Sequence, residues 1–261
     1  MTVRTDIIGH TLQITLDRPE KHNAFDDAVI ARLTEAFRLP KENTAIRVIV
    51  LAANGKHFSA GADLAWMRRM ADMDWQQNRD DAARLADLMD AIDRAPCPVI
   101  CKVQGAAYGG ALGLICAADI AIATPESRFC LSEVKLGILP AVISPYVVRA
   151  MGARQARRYF ISGEVFDAEV ACQCGVVHEL ADADTIDARV QEIITSLAGG
   201  APEAQREARA LIDHVAHQPP DDSMRQWTAE LIARLRTSEE GREGLDAFLE
   251  KRAPSWKEPH G

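Results

Sequence analysis

Val99-Ile-Cys-Lys-Val-Gln-Gly-Ala-Ala-Tyr-Gly-Gly-Ala-Leu-Gly-Leu-Ile-Cys-Ala-Ala-Asp-Ile-Ala-Ile-Ala123 decides the fold class. It reads as an apolar strand over residues 99–103, a glycine-rich turn, a helix over residues 110–118 and a second apolar strand over residues 120–123. Two unbroken apolar runs joined through a helix mark neighbouring parallel strands, because a parallel pair needs a long crossover. The theme extends in both directions. Upstream, Thr11-Leu-Gln-Ile-Thr-Leu16 alternates with period two, residues 25–39 read as a helix with Asp26 near its cap, and Arg47-Val-Ile-Val-Leu51 is a buried strand. A Met- and Trp-rich helical segment follows, then a longer helix over residues 76–94 carrying Ala83, Leu85, Leu88, Met89 and Ile92 on one side, ended by Pro96 and Pro98. Downstream, short strands are expected near Arg128-Phe-Cys-Leu131 and at Val176-Val-His-Glu-Leu180. Otherwise the chain after Ile143 is helical in pattern, with breaks at Gly199-Gly200, at His217-Gln-Pro-Pro220 and around Gly241 and Gly244. The expected architecture is α/β, with a core over residues 1–198 and a C-terminal helical region over residues 199–261.

Composition sets the class of molecule. The 261 residues are 48% apolar and 26% charged, which excludes a disordered chain or a disulfide-stapled module. A formal charge of −8 repels polyanions on average, so nucleic acid is not an expected ligand. The six cysteines sit mostly in apolar runs, as reduced buried thiols do, and Cys172-x-Cys174 lacks the second ligand pair of a metal site. No metal is expected. The stretch Met1–Gln13 lacks the apolar run of a signal peptide, and no segment is long and apolar enough to span a membrane. A cytoplasmic protein is expected.

Three loops carry chemistry. Ser59-Ala-Gly-Ala-Asp63 follows a buried strand and opens a helix, which leaves the N–H groups near Ala62 without intrahelical acceptors. The turn before Gly110 does the same, and its absent side chains let a ligand approach the backbone. Two such turns offering one N–H each can form an oxyanion hole. It is not a dinucleotide fingerprint, since Gly105-x-x-x-Gly109-Gly110 has the wrong spacing. Ser132-Glu-Val-Lys-Leu-Gly-Ile-Leu-Pro-Ala141 places Glu133 just past a short apolar strand. Taken singly, such turns are usually only turns, and a glutamate there is usually solvated or paired, here with Lys135.

Their order and spacing together resemble the crotonase, or enoyl-CoA hydratase/isomerase, superfamily over residues 10–255. The matching pieces are Arg18-Pro19 with Asn23-Ala24, F-S-A-G-A-D at 58–63, the glycine-rich turn with Ala118-Asp119-Ile120, F-x-x-x-E at 129–133 and G-x-x-P at 137–140. The resemblance implies a spiral of ββα units, a C-terminal helical region that builds a homotrimer or a dimer of trimers, and an acyl-CoA thioester as ligand with no cofactor beyond the coenzyme A of the substrate. It implies that the N–H groups of Ala62 and Gly110 hold the thioester oxygen while Glu133 exchanges protons. It further implies coenzyme A contacts from Lys21, Lys56, Ala60, Asp63, Phe248 and Lys251, and a substrate site that includes Leu64, Gly109, Gly113 and Pro140; Tyr108, by its closeness to the site loops, is a candidate either for the acyl pocket or for packing. Trp66 is a further candidate for the acyl pocket. A glutamate in apolar surroundings has a raised pKa, which suits such chemistry near neutrality.

One position departs from the family's two-acid hydratases, which carry a second glutamate where this chain has Gly113. A single glutamate is the arrangement of the family's isomerases. The runs 60–70, 132–148 and 157–160 are closest in pattern to bacterial methylglutaconyl-CoA hydratases, which also resemble this chain in having glycine there. The expected activity is hydration of a 3-substituted glutaconyl-CoA, with Arg68, Arg69 and Arg149 as candidate partners of its distal carboxylate. The alternatives are a Δ3,Δ2-enoyl-CoA isomerase, or a catalytically silent acyl-CoA- or RNA-binding member using Arg154, Arg157 and Arg158. None of the seven histidines has the context of a nucleophile's partner or a metal ligand.

Overall fold

The computed structural model describes residues 2–216 and 218–257; His217 and His260, two of the histidines considered above, lie outside them. In chain order the elements are β1 (Val3–Ile8), β2 (Thr11–Leu16), α1 (Asp27–Glu42), β3 (Val48–Ala53), α2 (Leu64–Ala71), α3 (Trp75–Asp93), β4 (Val99–Val103), β5 (Ala106–Tyr108) and α4 (Gly110–Ala117). They continue with β6 (Ile120–Ala123), β7 (Arg128–Cys130), α5 (Ser144–Ser162), β8 (Val165–Asp167), α6 (Ala168–Gln173), β9 (Glu179–Leu180), α7 (Ile186–Ala198), α8 (Pro202–Val215), α9 (Asp222–Thr237) and α10 (Glu239–Glu250). The main sheet has the order β1-β2-β3-β4-β6-β9 and is parallel except for the β1–β2 pair. Its inner strands are the unbroken apolar runs of the sequence: every residue of β3 is buried, and only Lys102 of β4 is not. A second sheet of order β5-β7-β8 stands where the sequence shows only a glycine-rich turn and one short strand.

The chain divides into two compact units, residues 1–192 and 193–261, with the division inside α7. Both sheets and one hydrophobic core, with Leu12, Phe37, Leu51, Phe58, Met89 and Phe129 fully buried, belong to the first. The second is helical. Gly241 and Gly244, expected as breaks, instead lie inside α10, whose N-cap is Ser238, with its hydroxyl accepting the Gly241 N–H at 3.0 Å. The glycines answer to packing. A β-carbon at Gly241 would strike the Leu235 carbonyl, and one at Gly244 would lie 3.0 Å from the Trp256 ring. The expected strand over residues 176–180 shrinks to β9, because Val176 and Val177 turn into the core before the ladder begins.

Candidate active site

The loop after β3 is fixed at both ends before it reaches α2. Phe58 is fully buried, which stabilises the loop by about 1.5–3 kcal/mol, and its N–H donates to the Gln104 carbonyl. The Ser59 N–H bonds to Ala106, and the Ser59 carbonyl accepts the Tyr108 N–H, so the loop runs beside β5. On its other side the Phe25 N–H donates to the Gly61 carbonyl at 2.8 Å and the Asp63 N–H to the Phe25 carbonyl at 2.7 Å. This parallel bridge uses the groups on either side of Ala62 and leaves its N–H over. Gly61 is required here: its φ is 92°, and a β-carbon would lie 2.9 Å from the Tyr108 carbonyl.

Asp63 closes the loop. Its side chain is the N-cap of α2, accepting the N–H groups of Ala65 at 2.8 Å and Trp66 at 3.3 Å, and it also receives Arg18 and Lys21, each at 3.3 Å. Burial pushes its pKa up, but the two N–H bonds and the Lys21 ammonium outweigh burial and hold it below the usual carboxylate value. Buried Arg18 ties this carboxylate to Asp26, the N-cap of α1. Asn23, also buried, accepts the Arg18 N–H and donates to the carbonyls of Asn54 and His57. The Arg18…Asn23 motif is thus a clamp on the loop that holds Ala62.

The second turn supplies the other donor. The Gly109 N–H is taken by the Cys130 carbonyl, and Gly110 is the first residue of α4. Among the described residues the N–H groups of Ala62 and Gly110 have no protein acceptor. Gly109, with φ 55° and ψ −124°, also lets Glu133 approach: a β-carbon there would lie 3.2 Å from Glu133 Oε1. Glu133 opens a short 3-10 turn, Glu133–Leu136, and is not ion-paired to Lys135 among the described residues. Its Oε2 is buried with no hydrogen-bond partner, and burial raises its pKa, offset in part by its own N–H.

Ala62, Gly110 and Glu133 line one cavity of about 290 Å³, walled also by Phe25, Ile30, Trp66, Met70, Leu85, Pro140 and Ile143. Pro140 and Trp66, both sequence candidates, stand on this wall; Leu64 and Tyr108 do not, and Leu64 is 73% exposed. Gly113 is buried behind it, where a β-carbon would lie 2.8 Å from both Ile143 Cβ and Met89 Sδ. Asn78, Asp81, Ala82 and Leu85 of α3 complete the lining at i, i+3, i+4, i+7 spacing. Of that stripe only Leu85 was expected: Asn78 and Asp81 are polar, and the expected stripe ran through Ala83, which is exposed. Among the described residues no lysine or arginine lines the cavity: Arg69 pairs with Asp27 at 2.7 Å, Arg149 pairs with Asp93, and Arg68 is exposed.

The expected coenzyme contacts of the first unit gather outside that cavity. Exposed Lys21, Lys56 and Ala60 are joined through the Ala60 N–H to the His22 carbonyl and the edge-on rings of His22 and His57, 5.1 Å apart. Burial first, then His22 and Lys56, lower the His57 pKa and favour its neutral ring. The two histidines had no signal of their own in the sequence. In the second unit, Phe248 is 80% exposed and Lys251 is the left-handed C-cap of α10.

The geometry can be set against known proteins. The model of the family described as enoyl-CoA hydratase/isomerase matches residues 8–259. A crystal structure of an enoyl-CoA hydratase from Shewanella pealeana is 48% identical with a TM-score of 0.95, covering 98% of this chain and 96% of that one. The 2,3-dehydroadipyl-CoA hydratase of Escherichia coli K12 is 31% identical over 94% of both chains. The trans-2-decenoyl-acyl-carrier-protein isomerase of Streptococcus mutans is 29% identical over 93% of both.

Proposed function

The chain belongs to the enoyl-CoA hydratase/isomerase family of the crotonase superfamily, and from that premise we propose that it hydrates a 3-substituted glutaconyl-CoA, either 3-methylglutaconyl-CoA or a terpene-derived homologue. The observation that carries the reaction type is the meeting of two free N–H groups, of Ala62 and Gly110, with the buried carboxylate of Glu133 around one cavity. Ionised Glu133 takes a proton from water as the hydroxyl oxygen adds to carbon 3. The electron pair of the double bond moves onto the thioester oxygen, where the two N–H groups stabilise the enolate by a few kcal/mol each. Glu133 then returns the proton to carbon 2, so that one water is added and the carboxylate is restored. The reaction draws on no cofactor beyond the coenzyme A of the substrate. The glutaconyl skeleton is supported by the sequence pattern at residues 60–70 and 132–148.

One observation favours a second reading. Ile143 and Met89 fill the space beside Gly113, so the cavity offers no room there for a second acid, and one carboxylate suffices for a Δ3,Δ2-isomerase that carries a proton between carbons 2 and 4. Incubation with 3-methylglutaconyl-CoA and with a 3-enoyl-CoA in heavy water, followed by mass analysis, decides between them. Addition of one water to the first supports hydration; label exchange without addition on the second supports isomerisation; neither supports a binding module. The exposed Phe248 and Leu249 of α10 support a role of the helical unit in building a homotrimer or dimer of trimers, which sedimentation of the purified chain tests.

A further inference from the structure

Two side chains that line the acyl cavity carry a buried polar atom without a hydrogen-bond partner among the described residues: Glu133 Oε2 and Trp66 Nε1. The first is the proton-exchanging group. The second has no part in the chemistry proposed above. Trp66 lies in the first turn of α2, shortly after the Ala62 N–H, and is 7% exposed. An indole N–H can only donate, and a buried donor left unpaired destabilises the fold, so native proteins rarely keep one without a use.

We propose that the Trp66 indole N–H is the specificity donor of the cavity, pairing with an oxygen at the distal end of the acyl chain. The rest of the wall leaves it that task. Phe25, Ile30, Met70, Leu85 and Ile143 offer no donor from their side chains. The Asn78 amide is already spent on the carbonyls of Met70, Met73 and Asp74. Asp81 is an acceptor bound to Arg84 at 2.7 Å. Among the described residues no lysine or arginine lines the cavity to meet a distal oxygen instead. A site built to bond a substrate oxygen discriminates against chains that lack it, because the donor is then left unpaired.

The inference rests on the reading that this cavity takes the acyl group of a coenzyme A thioester. Its test uses three enoyl-CoAs with one 3-methyl skeleton, ending in a carboxylate, a hydroxymethyl or a methyl group, assayed on the wild type and on Trp66→Phe, which keeps an aromatic ring and removes the N–H. The readout is the ratio of kcat/KM for each oxygen-bearing chain to that for the methyl chain, which cancels any loss of folded protein. The wild type is expected to prefer an oxygen-bearing chain, and the variant to lose that preference by roughly tenfold or more. A loss confined to one arm shows whether the oxygen is anionic or neutral. An unchanged ratio in the variant overturns the inference and leaves the hydratase reading standing. A wild type that prefers the methyl chain also overturns it, together with the glutaconyl substrate but not hydration. Absence of turnover on all three removes the proposed function and the inference together.

Discussion

Ile143 packs against Gly113 so closely that a β-carbon at position 113 would lie 2.8 Å from the Ile143 Cβ, with the Met89 sulfur equally near. The absence of a second glutamate is therefore built into the core of the first unit and is not a local deletion of one side chain. Alanine at an ordinary helical glycine gains up to ~1 kcal/mol from propensity. Here overpacking, typically ~1–3 kcal/mol, works against that gain, because Ile143 is β-branched and buried and cannot swing aside. Gly113→Ala is expected to lower stability by about 1–2 kcal/mol in urea denaturation, and Ile143→Ala in the same chain to recover part of the loss. Additive effects of the two substitutions would contradict the contact.

Glu133 is expected to carry the proton transfers alone. Glu133→Gln keeps the shape of the side chain and removes its basicity, so kcat falls by roughly 10²–10⁴-fold while coenzyme A binding, followed by calorimetry, persists. In the wild type the acid limb of kcat/KM should lie above the pH at which a free glutamate titrates, because burial raises this pKa. Stability moves the opposite way. The folded state binds this proton more tightly than the unfolded chain does, so the wild type is penalised above the folded pKa, and the penalty fades as pH falls toward the unfolded value of about 4.3. Glu133→Gln should thus melt higher than the wild type at pH 7–8, with the gap closing near roughly pH 4.

Much of this was legible in the sequence because strands buried on both faces print as continuous apolar runs: β4 and β6 have the residues read from the chain, and β3 differs only at its ends. What escaped has physical reasons. β1 is an edge strand with five of its six residues exposed, so no hydrophobic pattern announced it. β5 and β8 are three residues long and are defined by partners distant in sequence, Arg128–Cys130 for both. The turns that carry Ala62 and Gly110 could be read because turn-to-helix junctions are local signals, whereas Glu133 stood out only through the family resemblance. The walls contributed by Asn78 and Asp81 could not, since polar residues on a helix read as a solvent face until the neighbouring loops are placed over them.

Gly109 carries both a backbone and a side-chain constraint. Its φ of 55° with ψ of −124° costs a residue bearing a β-carbon about 1–3 kcal/mol, and that carbon would lie 3.2 Å from Glu133 Oε1. Gly109→Ala is expected to lower stability by about that amount and to push the carboxylate aside by a few tenths of an ångström. Since displacement of a catalytic group by 1 Å can cost on the order of 100-fold, a fall in kcat of about tenfold with KM little changed is the expected result. A variant with wild-type kcat would show that Glu133 does not depend on this contact.

Asp63 joins stability to catalysis through the loop it closes. Its carboxylate caps α2 and balances buried Arg18, while the Lys21 contact, half exposed, contributes at most about 1 kcal/mol. Removing it leaves the Arg18 guanidinium with Asp26 and the Ala24 carbonyl, and the Ala65 and Trp66 N–H groups uncapped. Asp63→Ala should therefore cost about 3–5 kcal/mol, toward the low end because Asp26 remains 2.9 Å from the guanidinium. Asp63→Asn keeps a cap acceptor and should cost less. Because the folded pKa is held below the unfolded one, this stabilisation is complete above the ordinary aspartate pKa and is lost as pH falls through the folded value. The gap between wild type and Asp63→Asn in urea should accordingly narrow as pH falls below roughly 4. The adjacent Ala62 N–H is flanked by the bridge to Phe25 and by this cap, so kcat of Asp63→Asn should fall even where the variant remains folded. Equal kcat at equal folded fraction would show that the cap does not position the Ala62 N–H.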